Sequence, residues 1–363
     1  MAPDVSDFIL PVLHSGYIGE GPKSRELEKW FGEYIGNHNC VIVNSGTSAI
    51  TLALKLAGVG PGDKVLSTPM TCLASNTSIL NVGATPVWAD IMMDGTIDPR
   101  EVGKILSKQK VKAMMCMDWG GKPCMLDELM ALSVKYGVPL IEDACQAIGA
   151  EYKGVKVGNQ ATYVAFSTQA IKHLTTVDGG FLCINGHQMW AKSQCEDARM
   201  MRWFGLDRDK GADMRCNQDP PVVGYKWQMN DVLASIGLAN SRGLEQRIEK
   251  SRLNAQRLNK CFGLSELAHR KSSYWLYTVI IEEPDRFIQY MKLNGVECSR
   301  VHDRNDTKTI FRDSKTPLPG VDWFDEFHVC IPCGWWVTEQ ETNYICELID
   351  RWFNEDFQTK ARG

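Results

Sequence analysis

The sequence predicts an α/β protein: a mostly parallel sheet with helices on both faces, followed by a smaller second unit. Three observations predict it. Short apolar runs rich in β-branched residues alternate with stretches of helical periodicity through the first half of the chain. Chemistry-bearing polar residues fall at the carboxyl ends of two of those runs, where ligands sit in such folds. The alternation then gives way to a long helical stretch and resumes with different spacing near the C-terminus.

Each element has its own reason. From Glu26 to Gly36, Leu27, Trp30, Phe31 and Tyr34 recur at helical spacing. Cys40-Val41-Ile42-Val43 is a strand, and Ser45 to Leu56 is a helix with a polar start. Strands are predicted at Lys64 to Ser67, Thr85 to Ala89, Val111 to Met117, Val138 to Ile141, Tyr163 to Phe166 and Phe181 to Ile184. Helical patterns occupy Ala74 to Val82, Pro99 to Ser107 and Met125 to Tyr136 between them. A long helical region runs from Met229 to Phe262. Beyond it come a strand at Trp275 to Glu282, a helix at Asp285 to Asn294, a strand at Val296 to His302 and a closing helix at Glu339 to Phe353. Gly58-Val59-Gly60-Pro61-Gly62 resembles a dinucleotide loop but follows a helix rather than a strand, so it reads as a helix C-cap and turn.

A chain of 363 residues accommodates two packed domains, expected at 1–245 and 246–363. Its net charge of −4 leaves no electrostatic footprint for nucleic acid. No apolar stretch is long enough to span a bilayer, and the start, Met1 to Asp7, lacks the basic and apolar regions of a signal peptide. The expected compartment is the cytoplasm. The 13 cysteines are odd in number and scattered, most of them in apolar runs where cysteine packs as a small hydrophobe. Cys330-Ile331-Pro332-Cys333 has the spacing of a redox or zinc half-site but no partner pair, so it reads as two unrelated thiols and no metal is expected.

The chemistry gathers around Lys172. Ser167 precedes it by five residues, and Gly179-Gly180 follows. Upstream, the run from Val138 delivers Asp143 at a strand end. An amine nucleophile, a hydroxyl suited to phosphate and a carboxylate at a strand end are the parts of a pyridoxal 5'-phosphate site. The lysine forms the Schiff base and the aspartate keeps the pyridine nitrogen protonated. Asn44-Ser45-Gly46-Thr47-Ser48 turns a strand into a helix and offers backbone N–H groups at a positive dipole end. On this reading Thr47 and Ser48 supply N–H groups to the phosphate and Ser167 a hydroxyl from the opposite side. If a helix starts at Asp143, Gln146 shares its face and reaches the ring hydroxyl.

Together these residues resemble the pyridoxal phosphate-dependent sugar aminotransferases of the DegT/DnrJ/EryC1/StrS family. The resemblance covers nearly the whole chain, through Ser15 to Pro22, Asn44 to Thr47, Gly60 to Asp63, Pro69 to Ala74, Gly83 to Pro86, Glu142 to Gln146, Phe166-Ser167 with Lys172, and Gly224 to Asp231. It implies an aspartate aminotransferase-like fold (fold type I): a mostly parallel, mixed seven-stranded sheet in a large domain, with a smaller α+β C-terminal domain. It implies Lys172 as the catalytic lysine, Asp143 as the pyridine partner and Gln146 beside the ring. It places Gly46, Thr47, Ser48 and Ser167 at the phosphate. The ring-stacking position, often aromatic in the family, falls at Cys72. Lys226 falls where a residue reaches the phosphate of the partner subunit, which implies a homodimer with shared sites.

The implied reaction moves an amino group from glutamate to a nucleotide-linked keto sugar, with pyridoxamine 5'-phosphate as intermediate carrier. Some relatives carry histidine in place of the lysine and act as dehydratases; here His173 follows the lysine rather than replacing it. A pyridoxal phosphate-dependent dehydratase or lyase and a non-catalytic cofactor-binding sensor are the alternatives. A nucleotide-dependent oxidoreductase lacks its glycine fingerprint. Val301 to Asp306 and Gly334-Trp335-Trp336 fall near the site mouth by the same analogy or else lie at the surface.

Overall fold

The computed structural model describes residues 1–208, 217–265, 267–314 and 316–360. The chain opens with two helices, α1 (Val5–Ser15) and α2 (Pro22–Ile35), and enters the sheet through β1 (Cys40–Val43). Helix α3 (Gly46–Leu56), β2 (Lys64–Ser67), α4 (Leu73–Asn81), β3 (Thr85–Trp88), α5 (Pro99–Leu106), β4 (Ala113–Met117), α6 (Leu126–Tyr136) and β5 (Leu140–Asp143) then alternate. Two short strands, β6 (Glu151–Tyr152) and β7 (Val155–Lys156), precede β8 (Tyr163–Ser167) and β9 (Gly180–Ile184). Helices α7 (Gln188–Met201), α8 (Asp231–Ser241) and α9 (Leu244–Cys261) follow.

The seven-stranded sheet has the order β1-β9-β8-β5-β4-β2-β3. Only β9 runs antiparallel to its neighbours, β1 and β8. The carboxyl ends of the other strands therefore share one edge, which brings Asn44, Asp143 and Ser167 together. Successive residues of each strand feed opposite faces. Ile42, Met114, Leu140, Phe166 and Phe181 pack in one core, and Val41, Val43, Met115, Ile141, Ala165 and Leu182 in the other. Burial on both faces explains why these strands read as continuous apolar runs. Phe31 of α2 stacks on Phe181 with ring centroids 3.8 Å apart, which fixes that helix to the sheet.

The C-terminal region has its own apolar cluster, including Leu258, Tyr277, Phe287, Val329, Leu348 and Trp352. It comprises β10 (Arg270–Lys271), β11 (Tyr277–Ile280), α10 (Pro284–Leu293), α11 (Pro319–Phe327), β12 (His328–Ile331) and α12 (Glu339–Lys360). Strands β11 and β12 pair antiparallel, and β10 joins β6 instead.

Four expectations change. The long helix expected from Met229 to Phe262 is two helices, broken at Arg242-Gly243, where a glycine weakens the helix. The strand expected at Val296 to His302 is reduced to a single bridge between Ser299 and Cys330; the chain then leaves to pair Arg304 with Met70. No helix starts at Asp143, because β5 runs through that residue into a turn. The strand that pairs with β11 is β12, which the sequence reading did not anticipate. The glycine-rich stretch after α3 is a helix end and turn, with Gly58 and Gly62 at positive φ. Cys330 pairs with Thr278 and Cys333 donates to the Tyr274 carbonyl, so the two thiols face different partners.

Candidate active site

The site forms where the shared edge of the sheet meets α3 and α4. At the end of β1, Ser45 caps α3: its Oγ accepts the Ser48 N–H at 3.0 Å. The Ser48 hydroxyl donates to Asn44 Oδ1 at 2.7 Å. Ser48 therefore spends its N–H on the cap, and the N–H groups of Gly46 and Thr47 are those without an acceptor inside the helix. Gly46 is a requirement of close approach. A Cβ there would sit 2.8 Å from Cys145 Sγ and from Ser167 Cβ, so only glycine lets the helix start rest on β5 and β8. Ser167, buried at the end of β8, accepts the Gln169 N–H at 3.3 Å.

Asp143 is buried at the end of β5. Its Oδ2 accepts from Ser75 Oγ at 2.5 Å and its Oδ1 from the Cys145 N–H at 3.1 Å. Ser75 in turn meets the Thr71 hydroxyl at 3.0 Å. Sequence reasoning missed Ser75. The available signal was its place four residues after Thr71, which puts both hydroxyls on one side of the turn into α4. Cys72 lies between them, and burial raises its thiol above the usual range.

Gln146 reaches this edge from the turn after Asp143 rather than from a helix. Its Oε1 accepts the Gly120 N–H at 2.7 Å, and its Nε2 lies 2.9 Å from His302 Nε2. An amide nitrogen donates, so His302 Nε2 is the acceptor and its proton sits on Nδ1. Burial pushes the His302 pKa down to about 4, with nearby Lys172 acting in the same direction, so the ring is neutral near pH 7. His302 belongs to the stretch the sequence left between site and surface; the structure brings it to Gln146.

Lys172 is half-buried, and its Nζ lies over the Trp275 ring, 3.5 Å from the centroid. No ion pair involves it among the described residues. Burial lowers its pKa, while Cys145, Cys72 and Asp143 oppose that shift. Trp275 is held from two sides. Its indole N–H donates to the Ile171 carbonyl at 3.0 Å, and His302 stacks against its ring at 6.1 Å. The preceding Tyr274 has φ of 51°, an uncommon backbone for a bulky residue, and this turn carries Trp275 into place. Nothing in the local sequence advertised Trp275. His173, next to the lysine, is buried with its pKa pushed down to about 3 by desolvation.

Lys226 behaves differently. Tyr225 and Trp227 stack on each other with centroids 3.8 Å apart, and Lys226 between them is exposed. Its carbonyl accepts from Asn44 Nδ2 at 3.4 Å, which anchors its backbone at the start of the α3 turn. Asp231 ties this stretch to the N-terminal segment by accepting from the N–H groups of Gly21, Lys23 and Ser24.

Behind Asp143, on the opposite face of β5, Glu142 is fully buried with neither carboxylate oxygen hydrogen-bonded to an evident donor. Asp118 is equally buried; its Oδ1 accepts the Cys124 N–H and its Oδ2 has no donor. Desolvation raises Asp118 to about 7 although its hydrogen bonds and Arg270 oppose the shift, and desolvation together with the Asp118 charge raises Glu142 well above its usual value. Two such groups cannot both be ionised, so a proton is shared between them.

The model of the DegT/DnrJ/EryC1/StrS aminotransferase family matches residues 4–350. This chain belongs to that family. Among solved structures of similar proteins, AtS13 from Actinomadura melliaura is 33% identical, with 96% of each chain covered and a TM-score of 0.90. The sugar aminotransferase CalS13 from Micromonospora echinospora is 30% identical, with 97% of each chain covered and a TM-score of 0.90. The spore coat polysaccharide biosynthesis protein SpsC from Bacillus subtilis is 31% identical over 259 residues, 70% of this chain and 65% of that protein. The fold expected from the resemblance, an aspartate aminotransferase-like α/β protein with a mixed seven-stranded sheet, is the fold observed. As a member of this aminotransferase family the chain is a transaminase.

Proposed function

We propose that this aminotransferase uses pyridoxal 5'-phosphate to move an amino group from glutamate to a nucleotide-linked keto-deoxysugar, a 4-keto-6-deoxy sugar, in the supply of glycan precursors. The observation that carries the reading is the convergence of Lys172, Asp143 and Gln146 on one edge of the sheet. The residues present fit the cofactor. Gly46 lets a helix start rest against Ser167, Asp143 is a buried carboxylate, and Lys172 is an amine that makes no ion pair among the described residues. CalS13, similar over almost its whole length, is described as a sugar aminotransferase, which supports a sugar as acceptor.

When bound, pyridoxal 5'-phosphate supplies an aldehyde that condenses with amines and a cationic ring that withdraws electrons. The chain's own residues do the rest. Asp143, held by Ser75 and the Cys145 N–H, keeps a proton on the ring nitrogen. Lys172 is the amine that carries a proton within the site, and its lowered pKa makes the neutral base more available near neutrality. Trp275 lies over the lysine amine, with its ring centroid 3.5 Å from Nζ. Gln146, fixed by the Gly120 N–H and by His302, orients the ring. Gly46, Thr47 and Ser167 seat the phosphate, Cys72 stands at the ring-stacking position and Ser48 braces the cap.

In this reading the active unit is a homodimer, Lys226 serves the partner's phosphate, and residues 1–245 and 246–363 are the two domains. The enzyme works in the cytoplasm, in keeping with the lack of any helix among the described residues long and apolar enough to cross a membrane. The test is spectroscopic. Purified enzyme is yellow and bleaches on adding glutamate. A screen of nucleotide-linked 4-keto and 3-keto sugars, read by mass spectrometry, then identifies the acceptor; absence of bleaching would overturn the reading.

A further inference from the structure

The C-terminal region reaches the lysine segment through Trp275, and its backbone is pinned on both sides of that residue. The Ser273 N–H donates to the Gly121 carbonyl at 3.0 Å, and the Leu276 N–H donates to the Gly120 carbonyl at 3.1 Å. Between these bonds Tyr274 takes its positive φ and sets the direction of the indole. The indole is then fixed twice more, by its N–H on the Ile171 carbonyl and by His302 stacked on its ring. The Gly120 N–H also holds Gln146, so the indole and the ring-orienting amide hang from one turn. An uncommon backbone conformation held by this many bonds points to an orientation that is used.

What the indole presents to Lys172 is a ring face. Nζ lies 3.5 Å from the ring centroid, well within reach of the attraction between an ammonium and an aromatic quadrupole. The other groups around the amine differ in kind. The Cys72 and Cys145 thiols are raised by burial and stay neutral near pH 7. His173 and His302 are pushed down to about 3 and about 4 by desolvation, with the Lys172 charge adding to each shift, so both rings are neutral as well. Asp143 is the carboxylate that acts on the amine, and it is already held by Ser75 and the Cys145 N–H. On the open side, Arg247 and Lys250 line the same cavity as Lys172 and disfavour a further positive charge. Burial favours the neutral amine, whereas the indole face favours the ammonium.

We propose that Trp275 is a positioning residue for Lys172: its N–H fixes the lysine segment at Ile171, and its ring face seats the amine as the ammonium whenever Nζ is not bonded to the cofactor. The proposal rests on the aminotransferase reading, in which Lys172 is free for part of the reaction and both accepts and donates a proton at Nζ. A lysine tuned by burial alone would give up that proton readily. A carboxylate in place of the indole would be a counter-charge able to take the proton itself. The indole stabilises the charge and has no lone pair to accept the proton, because its nitrogen is a donor only.

The test is an NMR titration of isotope-labelled lysine side chains in enzyme loaded with pyridoxamine 5'-phosphate, the form in which no lysine is bonded to the cofactor. Lys172→Ala assigns the Lys172 signal by removing it. Wild type, Trp275→Phe and Trp275→Leu are compared, with bound-cofactor absorbance and thermal melting to confirm that each is folded. Leucine admits more water to the amine, which by itself would raise the titration midpoint, so a fall reports the lost ring face. The expected result is a midpoint lower by roughly half to one pH unit in Trp275→Leu, and a smaller fall in Trp275→Phe, which keeps a ring but not the N–H. A midpoint unchanged or raised in Trp275→Leu would overturn the proposal and leave the indole as packing. A fall in Trp275→Phe as large as in Trp275→Leu would also overturn it, because a ring would then confer nothing. Bleaching by glutamate and peptide mapping of residue 172 in wild type test the aminotransferase reading separately.

Discussion

Lys172 is a half-buried amine that makes no ion pair among the described residues, and that is what its chemistry uses. Lys172→Ala removes nucleophile and proton carrier together, so transamination should fall to background while the fold persists. Full turnover by the alanine variant would refute the assignment, and borohydride reduction with peptide mapping should place the cofactor on residue 172. Asp143 has a different task. Asp143→Asn keeps a polar contact to the ring but cannot hold the nitrogen charged, so the rate should drop far more than cofactor affinity. Equal rates for variant and wild type at saturating cofactor would count against that role. His302 should stay neutral, because burial has pushed its pKa to about 4. An NMR titration of its ring should show no protonation between pH 8 and about pH 5.5; an inflection near the ordinary histidine value would contradict the Gln146 contact. Much of this site was legible because Lys172, Asp143, Gln146 and Ser167 are chemically distinctive and sit at strand ends. Ser75 and Trp275 were not legible. A serine hydroxyl and an indole say nothing about their targets until β5 and the Tyr274 turn deliver them.

At the scale of elements, β4 and β5 lie side by side and carry the buried carboxyl pair, Asp118 just after one and Glu142 within the other. Both groups hold their protons to higher pH in the folded chain than in the unfolded one. The contribution of Asp118 to stability is therefore fully present below the ordinary carboxylate range, near pH 4, and is lost as pH rises through about 7, and that of Glu142 is lost in the same direction as pH rises. The slope should approach about 1.4 kcal/mol per pH unit for each proton held. Denaturant unfolding at several pH values should show stability declining across this window. Glu142→Gln, which removes one titrating group and keeps the shape, should flatten the decline; an unaltered slope would show that the pair shares no proton. Long, strongly patterned elements such as α3, α6 and the central strands were readable because burial on both faces makes their apolar runs continuous. The C-terminal region was harder. Val296 to His302 has strand composition, yet it makes one bridge to Cys330 before Arg304 is drawn to Met70. β12 hid in a short apolar run whose pairing with β11 depends on tertiary contact. The break at Gly243 is one residue in an otherwise helical pattern, too local a signal to outweigh the periodicity around it.

At the scale of the whole molecule, the proposed homodimer makes one site from two chains. Lys226 is exposed, between the stacked Tyr225 and Trp227, and its side chain makes no ion pair among the described residues. Large apolar side chains are exposed nearby: Tyr17 and Ile18 on the segment tied to Asp231, and Phe204 and Val223 beside the Gly224 turn. Exposed apolar patches are common at interaction surfaces, which is in keeping with the proposed homodimer. The proposed partner is a second copy, with Lys226 supplying a point cation to its phosphate. Complementation decides it. Lys172→Ala and Lys226→Ala chains, each first shown to be inactive, are mixed unfolded and refolded together. If the sites are shared across a two-fold axis, each mixed dimer has one site with both lesions and one with neither. Random pairing should then restore about a quarter of wild-type sites, and activity should rise from background to that level. If both residues served the same subunit's site, every site in the mixture would carry a lesion and activity would stay at background. Dimers of the correct size with no recovered activity would therefore place Lys226 within its own subunit's site or outside any site.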